Sequence, residues 1–342
     1  MRKIFVKNKR FKRAEDESLN LDEMVSGIVR GERKWLAKGI TIIESQAKHH
    51  QILAKELLKK LSSITRKTSI RVGITGVPGV GKSTFIESFG SMLCDQGLHV
   101  AVLAIDPSSS LSGGSILGDK TRMESLARND LAFIRPSPTA GTLGGVHRKT
   151  RETMLLCEAA GYDIVLVETV GVGQSEYVVR EMVDYFMLLT LTGAGDELQG
   201  MKKGIMELAD GLFVHKADGD NVVKANKTVS ELNQLLHFLQ PSTPGWTTKA
   251  YPLSSTTKIG LEEVWTTIRA FIQTTKESGQ FIQRRTNQRL EWLRSSLEEE
   301  ILDQFYQKQQ VQTLLPLMKE QVKEGTTNVR EAVDQLLQVI KK

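Results

Sequence analysis

Residues 73–84 read GITGVPGVGKST and follow the β-branched run SIRV at 69–72. The spacing Gly76-x-x-x-x-Gly81-Lys82-Ser83 is that of a phosphate-binding loop, and each part answers a chemical need. Glycines let successive backbone N–H groups turn toward one anion, where a Cβ would obstruct them. Lys82 reaches the outer phosphates and Ser83 offers a hydroxyl to magnesium. The helix predicted over Ser83–Leu93 turns its positive end to the same anion. Gly76, Val77, Pro78, Gly79, Val80, Gly81, Lys82, Ser83 and Thr84 are therefore the expected phosphate cradle. A tight strand-to-helix turn without ligand is the plainer alternative, and the flanking strand and helix patterns favour the cradle.

Outward from the loop the chain alternates. Apolar runs at Ile70–Thr75, His99–Ile105, Leu131–Arg135, Asp163–Glu168, Tyr185–Thr190, Gly211–His215 and Ala250–Pro252 each lead through a Gly-, Ser-, Pro- or Asp-rich loop to a helical pattern. Near-continuous apolar strands such as AVLAI and DIVLVE suit a parallel sheet buried on both faces. The expected fold class is α/β, a P-loop domain over 67–275 whose mostly parallel sheet is flanked by helices. A basic tail and helical segment (1–66) precede it, and a helical arm (276–342) follows. In such a sheet, ligands gather at the carboxyl ends of the strands.

Those strand ends carry acids. Asp106 follows HVAVLAI, and Asp119 lies further along the same loop in GDKTRM. Either can order magnesium or an attacking water, and either also reads as an ordinary turn aspartate. DIVLVE ends in Glu168-Thr-Val-Gly171, the acid, two residues and glycine of a nucleotide switch. The acid there bonds a magnesium water and the Gly171 N–H meets the γ-phosphate. Gln174, just beyond, either orients water or is a polar loop residue. After GLFV, His215-Lys216-Ala217-Asp218 occupies the place of the Asn-Lys-x-Asp guanine reader. An aspartate accepts from the guanine ring N–H and amino group together, a pair that adenine does not offer. Histidine still donates one hydrogen bond, in a tautomer its neighbours decide. Ser254, Ser255 and Thr256 follow the last strand and could add contacts around the base.

Composition removes other classes. The formal charge is +6, but seven Lys or Arg crowd the first 13 residues with no acid, and aromatics make up only 6%. That is a solvated terminus rather than a nucleic-acid surface. No apolar run approaches the length of a membrane span. MRKIFVKNKRFKR lacks the apolar stretch of a secretory signal, and a mitochondrial leader is usually richer in Ser and Arg. Two unpatterned cysteines, Cys94 and Cys157, suit a reducing cytoplasm.

GVPGVGKST, IDPSSSLSGGSILGDKTRM, TLGGVHRKTRE, VETVGVGQSE and LTGAGDELQGMKKGI together resemble the G-protein chaperones of methylmalonyl-CoA mutase, a family also labelled arginine/ornithine-transport kinases. The resemblance runs from about Leu19 to Leu337. It implies a GTPase using GTP/GDP and Mg2+, with Asp106, Asp119 and Glu168 gathered around magnesium and the phosphates. It implies a further switch over Gly193–Gly204, which by itself reads as a surface loop. It implies a homodimer through the C-terminal arm. The spacing of Leu290, Leu293, Leu297, Ile301 and Phe305 by itself equally allows packing on the same chain. Such proteins gate adenosylcobalamin loading into an acyl-CoA mutase, methylmalonyl-CoA mutase or a sibling, and protect it. A cobalamin adenosyltransferase is a further candidate partner. His215 departs from the family pattern, which has Asn there, and so does His147.

An ATP-dependent kinase would need an acceptor site and base that the sequence does not offer, and Asp218 favours guanine. A nickel- or cobalt-insertion GTPase would need soft or imidazole ligands at short spacing. Cys94 and Cys157 are far apart, and His49 and His50 are expected on different sides of a helix. An interaction protein with a degenerate loop fits poorly with intact Lys82, Ser83, Asp106 and Glu168.

Overall fold

The computed structural model describes residues 20–64, 68–106, 123–138, 143–169, 175–193 and 203–339, with backbone alone at 105–106, 137–138, 143–147, 175 and 203. Seven strands form one parallel sheet: β1 (Ile70–Gly76), β2 (Val100–Asp106), β3 (Ala132–Pro138), β4 (Ile164–Glu168), β5 (Tyr185–Thr190), β6 (Gly211–Val214) and β7 (Ala250–Pro252). Their spatial order is β3-β2-β4-β1-β5-β6-β7. The chain leaves β1 to build one side, returns through β4, and builds the other side from β5. The carboxyl end of β1, where the glycine loop begins, therefore lies at the reversal of strand order, which is where open α/β sheets bind ligands. All seven strands fall within three residues of the sequence expectation.

Period-two alternation divides the core. Val100 and Val102 of β2, with Ile164 and Leu166 of β4, face one layer, formed by α4 (Lys82–Asp95) and α10 (Leu261–Glu277). Ala101, Leu103, Val165 and Val167 face the other. There they meet α6 (Leu143–Ala159) and the N-terminal helices α1 (Leu21–Val29), α2 (Arg33–Glu44) and α3 (Lys48–Ser62). Met24, Ile28, Leu36, Ile40 and Leu57 are fully buried, so the N-terminal helices complete that layer. A third cluster sits under β5 and β6 with α8 (Lys203–Leu208) and α9 (Val222–Leu236). Short helices α5 (Glu124–Arg128) and α7 (Ser175–Arg180) complete the body of the fold.

After α10 the chain turns at Gly279 into α11 (Gln280–Gln307), whose 28 residues span about 42 Å. Its first turns are tied to the amino ends of the strands by polar groups. Arg285 chelates Asp184 at 2.7 and 2.6 Å and donates to Ser69 O at 2.8 Å. Gln288 Nε2 donates to Val183 O at 2.8 Å. Further along, Glu300 approaches Arg148 and Lys55. Leu290, Leu293, Leu297 and Ile301 point away, 53–66% exposed. The alternative that this stripe packs on its own domain is thereby overturned, because α11 docks through Phe281 and its arginine and glutamine face. Two more helices follow, α12 (Gln309–Lys323) and α13 (Val329–Gln338), the latter capped by Asn328 Oδ1 on Glu331 N at 2.8 Å. No described helix is long and apolar enough to cross a membrane.

Candidate nucleotide-binding site

Between β1 and α4 the backbone takes left-handed turns at Gly76 (φ 152°), Gly79 (φ 80°) and Gly81 (φ 98°). A Cβ on Gly76 would lie 2.4 Å from Leu189 O on the neighbouring strand, an approach only glycine permits. Gly81 is the N-cap of α4, and no side chain caps that helix. The first-turn N–H groups are thus free to serve an anion at its positive end. Lys82 is 8% exposed, and its Nζ donates to Gly76 O at 2.8 Å and Val77 O at 3.4 Å. Burial lowers its pKa, opposed by Glu168 and Glu176.

Ser83 Oγ donates to Glu168 Oε1 at 3.2 Å. Sheet register explains the meeting, since Glu168 pairs with Ile74 of β1 on one side and Ala104 of β2 on the other. Just past it, Thr169 pins the departing chain to β1 through Thr75 Oγ1 at 2.9 Å and Ile74 O at 3.0 Å. Asp106 ends β2, two residues beyond the partner of Glu168. Its carboxylate lies outside the described residues, as do Asp119, Gly171, Gln174 and most of Gly193–Gly204. A hydroxyl and a carboxylate are the hard oxygen donors that magnesium takes while keeping water and phosphate ligands, so the residues present fit that ion.

The second half of the site follows β6 and β7. His215 is 2% exposed and lies against the glycine loop. Its Nδ1 is 2.6 Å from Val80 O and its Nε2 is 2.6 Å from Ser255 Oγ. Burial lowers its pKa, so the ring is neutral. A carbonyl only accepts, which puts the proton on Nδ1 and makes Nε2 the acceptor of the Ser255 hydroxyl. Lys216 holds a left-handed backbone (φ 58°) and its Nζ donates to Gly79 O at 3.0 Å. Asp218 accepts from Ser254 Oγ, and Ser255 is fixed by Ser88 Oγ on its carbonyl at 3.1 Å. Thr256 is exposed.

Sequence reasoning missed Asn221. Its Nδ2 donates to Lys216 O at 2.8 Å and its Oδ1 accepts from Thr192 Oγ1 at 2.8 Å. It thereby ties the left-handed turn to the root of the Gly193 segment. An asparagine opening a helix reads as a cap, yet its side chain makes no cap bond here. One other expectation fails. His49 and His50 do not diverge, since their ring centroids are 4.2 Å apart where the first turn of α3 lets both rings tilt together, and His50 Nδ1 meets Ser45 Oγ at 2.8 Å. Arg151 is buried and donates to Gln288 O at 3.0 Å and Glu181 O at 3.2 Å, joining α6 to α11. Among the described residues, no three or more His, Cys, Asp or Glu side chains gather into a metal cluster.

A family model described as methylmalonyl Co-A mutase-associated GTPase MeaB matches residues 36–310. A Caulobacter vibrioides protein named putative GTPase is 48% identical over 320 residues, 94% of this chain and 98% of its own. A Mus musculus protein named methylmalonic aciduria type A homolog, mitochondrial, is 43% identical over 337 residues, 96% of this chain and 81% of its own. A solved structure titled LAO/AO transport system kinase superposes with a TM-score of 0.73 at 38% identity, covering 94% of this chain and 98% of that one. The glycine loop, the strand-end carboxylate and these likenesses along nearly the whole chain converge: the protein belongs to the methylmalonyl-CoA mutase-associated GTPase family, and it is a P-loop GTP hydrolase.

Proposed function

We propose that the chain is a GTP-hydrolysing chaperone that gates adenosylcobalamin loading into an acyl-CoA mutase, methylmalonyl-CoA mutase or a sibling, and protects that enzyme. The observation that carries the site is the Ser83–Glu168 contact, which joins the phosphate loop to the end of β4. In this reading GTP lies along residues 76–84, with backbone N–H groups on the phosphates. Lys82 turns its ammonium from the loop carbonyls to the outer phosphates. Magnesium, when bound, would neutralise charge on the triphosphate, and Ser83, Glu168, Asp106 and Asp119 are the residues that would hold it. Water oriented by Gln174 attacks the γ-phosphorus in line, the bond to the bridging oxygen breaks, and GDP and phosphate leave. Asp218 accepts from the guanine ring N–H and amino group, held in place by Ser254 Oγ.

Catalysis here is positioning and charge stabilisation, so the isolated chain should turn over slowly until a partner completes the site. Loss of the γ-phosphate releases Gly171 and alters the 168–174 and 193–204 segments shown to the mutase. The outward stripe on α11 supports a homodimer through the C-terminal arm. A cobalamin adenosyltransferase joins as a further candidate partner, and the buried free thiols fit a cytoplasmic setting. Phosphate release by wild type and by Lys82→Ala tests the site. The variant should lose hydrolysis while keeping wild-type circular dichroism, and full activity would remove the loop from the reaction.

A further inference from the structure

His215 stands where a guanine-reading side chain is expected, yet both of its ring nitrogens are already engaged by the protein. The geometry points to a different role: His215 is a positioning residue that straps the phosphate loop to the loop after β7, and it reads no atom of the base. This deepens the proposed function and rests on the nucleotide lying along the glycine loop.

Three observations carry it. The Nδ1–H donates to Val80 O in the middle of the loop, at 2.6 Å. The opposite nitrogen accepts from Ser255 Oγ at 2.6 Å, and Ser255 is itself anchored to α4 through Ser88. A Cβ added to Gly81 would lie 2.7 Å from His215 Cε1, so the ring packs directly against the glycine that opens α4. The strap therefore fixes the loop at the point where its N–H groups turn toward phosphate. Lys216 repeats the pattern one residue on, through Gly79 O. A neutral imidazole has one donor and one acceptor, and here neither is left for the guanine N7 or O6. Discrimination between bases falls to Asp218.

The test uses amide substitutions that separate the two bonds. Asparagine places its amide nitrogen two bonds from Cβ, where histidine has Nδ1, and keeps the donor to Val80. Glutamine reaches one atom further, to the place of Nε2, and keeps the Ser255 partner. Fluorescent GDP titrations would compare wild type, His215→Ala, His215→Asn and His215→Gln, each first checked by thermal melting. His215→Ala should weaken GDP roughly tenfold, the effect of losing both ties. His215→Asn should recover most of that loss and His215→Gln little of it. Recovery by Gln but not Asn would overturn the strap to the loop.

Competition with 7-deaza-GDP and with inosine diphosphate supplies the second readout. The ratios of their affinities to that of GDP should be the same in wild type and His215→Ala. A 7-deaza penalty present in wild type and absent in the Ala variant would show the ring reading the base, and would overturn the proposal. If wild type binds no guanine nucleotide at all, the proposed function fails instead, which Asp218→Ala measured alongside would separate from a failure of the strap.

Discussion

Replacing Asp210 with asparagine removes one buried negative charge and leaves side-chain volume almost unchanged. The carboxylate is fully buried just before β6. It accepts from Phe186 N at 2.9 Å, from Thr243 Oγ1 at 2.7 Å and from Arg284 at 3.1 and 3.2 Å, with Arg180 at 3.5 Å. Arg180 and Arg284 are each only 13% exposed, so neither guanidinium can turn to bulk water without moving a helix. Breaking a buried pair while its partners stay typically costs about 3–5 kcal/mol. At about 2–4 °C per kcal/mol for a larger domain, the thermal midpoint should fall by roughly 10 °C. Thr243→Val loses one hydrogen bond to the same carboxylate, about 1.5–3 kcal/mol, and should fall by roughly half as much. Differential scanning calorimetry of the two variants beside wild type is the assay. A shift below about 2 °C for Asp210→Asn would mean that Arg180 and Arg284 find other partners, and the buried-network reasoning would be wrong. The position matters for function as well. Arg180 also donates to Leu208 O at 2.9 Å, so Asp210 sits where α7 and α8 meet the base of the arm.

Three further outcomes follow from particular groups. Burial holds the His215 pKa below its ordinary 6.5, with Lys216 lowering it and Val80 and Asp218 raising it. The unfolded chain binds a proton there that the folded chain refuses. This contribution to stability is complete above about pH 6.5 and is lost as pH falls toward the folded value, a slope that His215→Asn should reduce in thermal melts and that must differ from wild type. The exposed α11 stripe predicts a dimer in sedimentation velocity that Leu293→Asp with Leu297→Asp converts to monomer; a monomeric wild type would remove the arm from assembly. Burial pushes the Cys94 thiol up to about 11 and drives fully buried Cys157 higher still, so neither should react with a thiol reagent at mildly alkaline pH until denaturant is added.

Much of this fold is written in local pattern. Seven β-branched or apolar runs, each closed by a polar loop, specify a parallel sheet because burial on both faces demands continuous apolar strands. Ser83 and Glu168 each read as groups for magnesium, but their meeting depends on the pairing of β1 with β4, which the sequence does not state. What was hidden depends on long-range packing. Periodicity gave α11 an apolar stripe but not what covers it, since its docking face beyond Phe281 is made of arginines and a glutamine that read as surface. His215 looked like a base reader from its position in the motif, and only its distances to Val80 and Ser255 reveal other partners. Nothing in the neighbours of Asn221 in sequence points to Thr192, 29 residues earlier.

Phosphate release from the purified chain with GTP and, separately, with ATP, each with and without an adenosylcobalamin-dependent acyl-CoA mutase, tests the central claim most directly. Slow, GTP-selective turnover that rises when the mutase is added is the predicted result. Equal use of ATP would contradict the role of Asp218, and turnover indifferent to the mutase would contradict the chaperone function.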